Sequence, residues 1–396
     1  MSGRVEKIDG LSIQRHLSAE EKLEGSGPFA ALIRDAVESA IQSGASDIHF
    51  EPVSEGIAIR LRIGGVLDVF HSSKDYQLKS LSPATLRKSF FLELKRIMNL
   101  SLGKFGVAQD SRITLEKRRI EARVNLIPTI YGEKIVLRLF FKDRNFDLKI
   151  AGYSNEALAD IRSAIRKNSG LVIISGETGS GKTTTLYSIL NELDRSALNI
   201  SSLEDPVEHV FEGVVHTQVN SRFGFGDGLR ALLRQDPDVI LVGEIRDTET
   251  AKLVNRAAQT GHLVFTTVHT NRALSIPGVF EFYGVKREEV LPNILLGANQ
   301  RLMRKLCSKC RTFRVESGLW SANQAGCSHC KSGYLRERKV IFEYFLNLDA
   351  GSEPKLKRSI EQEITQYAKE GVIDESEAQD HCDLPDGWST GETSPR

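Results

Sequence analysis

The sequence predicts an α/β protein: a mostly parallel, doubly wound sheet, preceded by a smaller α+β domain and followed by a cysteine module. Three observations predict it. From residue 170 onward, the short apolar runs Leu171–Ser175, Ile200–Leu203, Val239–Val242 and Leu263–Thr267 alternate with helical segments. That is the pattern of strands buried on both faces and joined by crossover helices. Before residue 145, apolar residues alternate with others instead, as in Ile57, Ile59, Leu61 and Ile63, the period of strands covered on one face. Beyond Arg301 the chain turns basic and carries two Cys-x-x-Cys pairs.

Taken in order, residues 1–28 read as a flexible lead-in ending in Gly25-Ser26-Gly27-Pro28, and a helix is predicted from Phe29 to Ser43. Two strands follow, with Gly64-Gly65 between them as a hairpin signal, the second covering Val66 to Phe70. A second antiparallel pair is predicted from Ile120, Ala122, Val124 and Leu126 and from Ile135, Leu137 and Leu139. These elements make an α+β domain of residues 29–145, and residues 146–300 make the sheet domain. In the latter, Asp247 or Thr248 is placed to start the helix before Leu263, and Gly261 to end it. The cysteine module is assigned to residues 301–345. Residues 346–396 form a helical and acidic tail whose end is expected to be disordered; from Glu370 it holds eight acidic residues and one basic residue.

Composition narrows the function. The 53 Lys+Arg and 52 Asp+Glu of the 396 residues leave a net charge of +1, which gives no reason to expect a polyanion-coating protein. The start MSGRVEKIDG has no apolar signal region, and no apolar stretch is long enough to span a membrane. The expectation is a soluble cytoplasmic chain that meets a membrane only through a partner.

Gly176-Glu177-Thr178-Gly179-Ser180-Gly181-Lys182-Thr183, followed by Thr184, matches G-x-x-x-x-G-K-[ST] in full. A predicted strand enters it and a predicted helix leaves it, the context such a phosphate loop needs. Its glycines let backbone N–H groups turn toward phosphate oxygens, and the helix amino terminus adds partial positive charge. Lys182 would reach the β- and γ-phosphates of ATP, and the Thr183 hydroxyl would ligate Mg²⁺. A RecA-like nucleotide-hydrolysing core is therefore predicted. Two acidic sites fall at the carboxyl ends of later strands, where a doubly wound sheet places its chemistry. One is Glu204-Asp205-Pro206-Val207-Glu208. The other is Glu244, directly after Gly243, which stands where many phosphate-loop enzymes carry an aspartate. His262 and His269 flank the apolar run Leu263–Val268.

Cys307-x-x-Cys310 and Cys327-x-x-Cys330 are sixteen residues apart, the spacing of a structural zinc site closed by four thiolates.

At this point the residues resemble a known family, the type II secretion ATPases and type IV pilus extension ATPases. The resemblance rests on Gly176–Thr183, Ser202–Glu208, Leu232–Asp247 and Thr260–Thr270, and in the smaller domain on Ala45–Pro52 and Pro128–Lys134. It covers roughly residues 29–345. It implies that Glu204 positions or activates the attacking water, that Glu244 acts at the metal and water site, and that His262 and His269 sense nucleotide state. It also implies a homo-hexamer that pushes an inner-membrane platform protein from the cytoplasmic face, with arginines of the smaller domain reaching ATP. Residues 112–149 hold ten Lys+Arg against five Asp+Glu. Arg138, set in the apolar segment Ile135–Phe140, is expected to be buried and to need an anion. Arg123 matches a second such arginine, Arg112 is a weaker third, and internal pairing to Glu121 or Glu133 is the competing expectation. Cysteine pairs at this place mark extension and secretion members rather than retraction members. The chain resembles a short form without the family's extra amino-terminal docking domain, and the segment Arg272–Lys286 departs from the family pattern.

Two other readings stay open. One is a weakly hydrolysing, nucleotide-dependent assembly or regulatory subunit. The other is a nucleic-acid-binding ATPase using Arg301, Arg304, Lys305, Lys309 and Arg311; the neutral overall charge and the lack of aromatic stacking stretches count against it.

Overall fold

A computed structural model describes residues 18–72, 81–142, 145–330, 332–347 and 353–381. The chain divides into two compact units, Met1–Asp143 and Arg144–Arg396. The expected disorder at the end of the tail, Cys382, and the first seventeen residues of the lead-in lie outside the described residues.

The first unit runs α1 (Ala19–Leu23), α2 (Ala30–Ser43), β1 (Asp47–Val53), β2 (Gly56–Ile63), β3 (Val66–Ser72), α3 (Pro83–Ile97), β4 (Gln109–Leu115), β5 (Ile120–Thr129) and β6 (Gly132–Phe141). Its strands form one six-stranded antiparallel sheet in the order β3-β2-β1-β6-β5-β4. Gly64 and Gly65 both take positive φ (59° and 92°), so the β2–β3 turn closes with the twist a hairpin requires. One face of the sheet packs on α2 and α3: Ile48, Phe50, Ile59, Val124, Leu126, Ile135 and Leu137 join Ile33, Val37, Phe90 and Leu94 in a single core. Within the expected lead-in, α1 is a capped helix. Ser18 and Glu21 cap it reciprocally, Leu23 is buried, and Glu20 pairs with Arg118.

The strand period also corrects the expectation for Arg138. Ile135, Leu137 and Leu139 face the core, which turns Arg138 to the other face with its side chain 61% exposed. Its Nε donates to Asp47 Oδ1 at 3.0 Å, so neither Glu121 nor Glu133 is its partner. Glu121 pairs with Arg112, and Glu133 with the buried Lys95.

The second unit runs α4 (Asn155–Ile165), β7 (Gly170–Ser175), α5 (Lys182–Asn191), β8 (Ile200–Glu204), β9 (Val214–Gln218), α6 (Phe225–Leu232), β10 (Val239–Val242), α7 (Thr248–Gln259) and β11 (Leu263–Val268). It continues α8 (Ile276–Phe282), α9 (Arg287–Val290), β12 (Ile294–Leu306), β13 (Thr312–Arg314), β14 (Leu319–Ser321), β15 (Tyr334–Leu346), β16 (Leu356–Arg358), α10 (Ile360–Lys369) and α11 (Glu375–Gln379). Its main sheet has eight strands in the order β16-β15-β12-β7-β11-β10-β8-β9. Strands from β12 to β9 are parallel, and β15 and β16 add antiparallel. The central strands β7, β10 and β11 are largely apolar and buried at every position because both faces are covered. Val172 and Ile174 pack with residues of α4 and α5, while Leu171 and Ile173 pack with residues of α6, α7 and α8. Asp247 caps α7 by accepting from Thr250 N at 2.7 Å.

The cysteine module is narrower than the expected 301–345. β12 and β15 pair within the main sheet from Leu296↔Leu346 to Leu306↔Tyr334, and only the excursion between them carries the cysteines. A separate core joins Met303, Leu319 and Ile341 to Ile360, Ile364, Tyr367 and Ile373, so the tail helix α10 seals that side. No helix among the described residues is long and apolar enough to cross a membrane.

Candidate functional site

The site follows from the parallel register. β7, β11, β10 and β8 lie side by side and point the same way, so their carboxyl ends share one edge. The loop Gly176–Gly181 leaves β7, His269 follows β11, Glu244 follows β10, and Glu204 ends β8. The topology thus brings the loop, both predicted acids and one predicted histidine to the edge where an open α/β sheet binds ligands.

The loop is shaped for close approach. A Cβ at position 176 would fall 2.4 Å from the Gln300 carbonyl oxygen, so only glycine fits there. Gly179 faces open space and needs glycine for its φ of +84°. Lys182 opens α5 and donates through Nζ to the carbonyls of Gly176 (2.7 Å) and Glu177 (2.9 Å). Burial lowers its ammonium below the usual lysine range, and the nearby Glu244 and Glu177 carboxylates oppose that shift.

Glu244 stands beside a cation and an imidazole. Arg246 Nη2 donates to its Oε1 at 2.5 Å, and His269 Nε2 lies 3.6 Å from its Oε2. Arg246 Nη1 also donates to Asp205 Oδ2 at 3.0 Å, so one guanidinium bridges the acids of two adjacent strands. Gly243 sits against Glu204. A Cβ there would lie 3.5 Å from the Glu204 Cα, in ordinary contact, so a side chain at this position would stand directly beside the neighbouring acid.

Glu204 is 3% exposed and held by three donors. Ser202 Oγ donates to Oε1 at 2.5 Å, His216 Nδ1 lies 3.1 Å from the same oxygen, and the Tyr187 hydroxyl donates to Oε2 in a short hydrogen bond. The Phe211 backbone N–H donates to His216 Nε2 at 3.1 Å, which makes Nε2 the acceptor and leaves the ring proton on Nδ1, between Ser202 Oγ at 2.8 Å and Glu204 Oε1 at 3.1 Å. Burial and the Glu204 charge both raise the Tyr187 phenol, so it stays a donor. A carboxylate has about four acceptor positions. Oε1 is filled, and Oε2 keeps one.

His262 departs from its expected place. In the β11–β7 register Leu263 lies beside Gly170 and Val268 beside Ser175. His262 is therefore at the opposite end of the strand from the loop, roughly 20 Å away at ~3.3 Å per residue. There its Nδ1 faces the Ala257 carbonyl at 2.9 Å and its own carbonyl accepts from Gly170 N at 3.1 Å. These bonds tie the end of α7 to the sheet. The two histidines flank one strand, and a strand separates its ends.

In the first unit, Arg112, Arg123 and Arg138 are direct cross-strand partners, and the row continues through Asp47 to Arg62. Arg138 and Arg62 share Asp47 (3.0 and 3.7 Å), and the Arg123 guanidinium lies 4.9 Å from the centre of the Phe140 ring. Four guanidinium groups in one row on the face away from the core mark a surface suited to an anion.

The four cysteine Sγ atoms lie within 4.8 Å of one another. Cys307–Cys327, Cys310–Cys330 and Cys327–Cys330 are 3.8, 3.4 and 3.6 Å apart. Thiolates ~2.3 Å from a tetrahedral zinc ion sit ~3.8 Å from each other, so the cluster is compatible with that metal. The His329 N–H donates to Cys327 Sγ and lowers that thiol to about 6. Metal analysis is expected to find one zinc per chain. Cys327→Ser is expected to lose it and to melt at lower temperature. Equal metal content and melting in the two proteins would show that the four cysteines hold no structural zinc.

Residues 22–382 match the family model described as Type II/IV secretion system protein. The chain belongs to this family. It is 36% identical over 390 residues to the putative type II secretion system protein E of Escherichia coli, covering 93% of this chain and 76% of that protein. It is 35% identical over 391 residues to the type IV pilus assembly ATPase PilB of Pseudomonas aeruginosa, covering 92% and 66%. Among solved structures it is similar to the Legionella pneumophila ATPase DotB (TM-score 0.68, 21% identity, 90% and 96% covered). It is also similar to the pilus retraction motor PilT with bound ADP (TM-score 0.60, 24% identity, 89% and 97% covered). Both likenesses concern the fold.

Sequence reasoning missed Tyr187, Ser202, His216, Arg246 and Gln300. Ser202 was within reach, because residues two apart on a strand share a face and Ser202 stands two before Glu204. Tyr187, His216 and Gln300 carried no local signal, since their roles depend on tertiary placement.

Proposed function

We propose that the chain is the ATP-hydrolysing motor of a type IV pilus or type II-like secretion machine. In this reading it acts as a homo-hexamer at the inner face of the cytoplasmic membrane and drives an inner-membrane platform protein. Family membership and relatives named as secretion and pilus ATPases support an ATPase. The observation that carries the reading is the shared edge: the phosphate loop, Glu204, Glu244 and His269 leave four neighbouring parallel strands at the same end.

Each residue then has a task. The amides of Gly176–Thr183 and the α5 amino terminus hold the phosphates, with Thr184 next to them on the helix. Lys182 exchanges its two carbonyl contacts for phosphate oxygens. Bound Mg²⁺ would neutralise phosphate charge, with Thr183 and Glu244 as the residues to hold it or its water. The remaining acceptor position on Glu204 Oε2 orients the attacking water. His269 senses the state of Glu244, and Arg123 and Arg138 supply countercharge to phosphate. His262 acts at a distance, through the end of α7. The cysteine cluster holds structural zinc, and its presence favours an extension or secretion role over retraction.

Turnover that depends on several copies depends on concentration. Steady-state hydrolysis per chain is expected to rise across a concentration series and then plateau. Arg138→Ala is expected to plateau roughly 10³-fold lower, the lower end of an arginine's contribution to phosphoryl transfer. A flat series, with Arg138→Ala equal to the parent chain, would leave a nucleotide-dependent subunit rather than a motor.

A further inference from the structure

Gln300, in the middle of β12, does not touch the open side of the phosphate loop. It lies beneath it, 1% exposed, and its amide makes three hydrogen bonds. Nε2 donates to the Ser180 carbonyl at 2.6 Å, and Oε1 faces the Thr185 hydroxyl at 2.6 Å and the Tyr153 hydroxyl at 3.0 Å. Ser180 is in the loop, Thr185 is on the first turn of α5, and Tyr153 comes from the segment before α4. The two hydroxyls are 2.5 Å apart, and Thr185 Oγ1 also lies 3.2 Å from the Gly181 carbonyl. Two hydroxyl protons thus serve a closed group of contacts. Burial keeps the Tyr153 phenol protonated by raising its pKa.

The same residue accounts for two loop glycines. A Cβ at Gly176 would meet the Gln300 carbonyl oxygen at 2.4 Å, and one at Gly181 would meet Gln300 Nε2 at 2.9 Å. The loop is therefore pressed onto Gln300 at both ends and hydrogen-bonded to it in between. The inward Ser180 carbonyl fixes the orientation of that peptide, and the Ser180 N–H donates within the loop to the Glu177 carbonyl at 3.2 Å, so Gln300 anchors the middle of a loop of the kind whose backbone receives an anion. A buried amide that lost this partner would leave the Ser180 carbonyl unsatisfied, a strong bias toward the observed arrangement.

We propose that Gln300, backed by Tyr153 and Thr185, is a positioning residue that holds the phosphate loop in its anion-receiving conformation and so sets nucleotide affinity. This rests on the reading of Gly176–Thr183 as the nucleotide site, and the test separates the two. Amide hydrogen exchange of the nucleotide-free full chain is compared for the parent, Gln300→Met and Tyr153→Phe, alongside the Kd for MgADP and the thermal melt. Gln300→Met keeps the side-chain length and removes all three hydrogen bonds; Tyr153→Phe removes one hydroxyl.

In Gln300→Met, the Ser180 amide, which bonds to the Glu177 carbonyl within the loop, is expected to exchange at least tenfold faster while other segments are unchanged, and the Kd for MgADP to rise at least tenfold. Tyr153→Phe is expected to move both in the same direction by two- to fivefold, with melting unchanged. The proposal is overturned if the Ser180 amide exchanges at the parent rate in both variants, or if faster exchange spreads evenly through the unit. A parent chain that fails to bind MgADP would instead overturn the nucleotide-site reading, while the exchange data would still judge the clamp.

Discussion

Lys182→Ala is expected to lose nucleotide binding and hydrolysis together. The ammonium is released from two carbonyl contacts, at 2.7 and 2.9 Å, to reach phosphate oxygens, and hydrogen bonds from a charged donor contribute roughly 1.5–3 kcal/mol each. Losing two such bonds predicts affinity for MgATP lower by ~10²–10⁴-fold, at ~1.4 kcal/mol per decade. The fold should persist, because the β7 residues beneath the loop pack without the lysine side chain. Equilibrium binding of a fluorescent ATP analogue, with a melting curve as control, checks this. Binding within threefold of the parent would remove Lys182, and with it the loop, from the site.

Glu204→Gln is expected to separate binding from chemistry. The substitution keeps size but replaces one carboxylate oxygen with an amide that cannot accept. Tyr187, Ser202 and His216 all point donors at this group, so at least one loses its partner, a cost of about 1–3 kcal/mol in stability. Positioned water activation contributes ~10²–10⁴-fold to rate, and kcat should fall by that amount while the Kd for MgATP stays within about threefold. Tyr187→Phe, which removes one donor and leaves the carboxylate, should lower kcat by much less. A Tyr187→Phe loss as large as that of Glu204→Gln would make Glu204 a structural acid.

Much of this was legible because it is encoded locally. The loop motif carries its own strand and helix, and buried parallel strands read as unbroken apolar runs such as Leu171–Ser175. The acids at Glu204 and Glu244 were found because a strand ending in an acid is a contiguous pattern. The misreadings share another origin. Arg138 was expected to be buried because Ile135–Phe140 looks apolar, but the period of two puts it on the open face. The resemblance gave His262 and His269 one role, and the six-residue strand between them sets them at opposite ends of β11. The cysteine module was drawn too wide because the basic residues around it hid two long strands of the main sheet. The helix α3 was overlooked although Ser82 and Pro83 signal its start. The support beneath the site depends on tertiary pairing: Gln300 joins residues over a hundred positions away, and His216 reaches Glu204 through the parallel pairing of β9 with β8, which no local pattern records.

In the proposed function, Glu204 directs cleavage of the γ-phosphate of bound ATP at this edge of the sheet. Single-turnover cleavage tests it most directly: concentrated protein is mixed with substoichiometric ATP labelled at the γ-position, and the bound nucleotide is quenched and separated over time. The parent chain is expected to convert bound ATP to ADP and phosphate, while Glu204→Gln is expected to hold the ATP intact at least ~10²-fold longer. Equal cleavage by both proteins, or ATP held intact by the parent chain at concentrations where it self-associates, would contradict it.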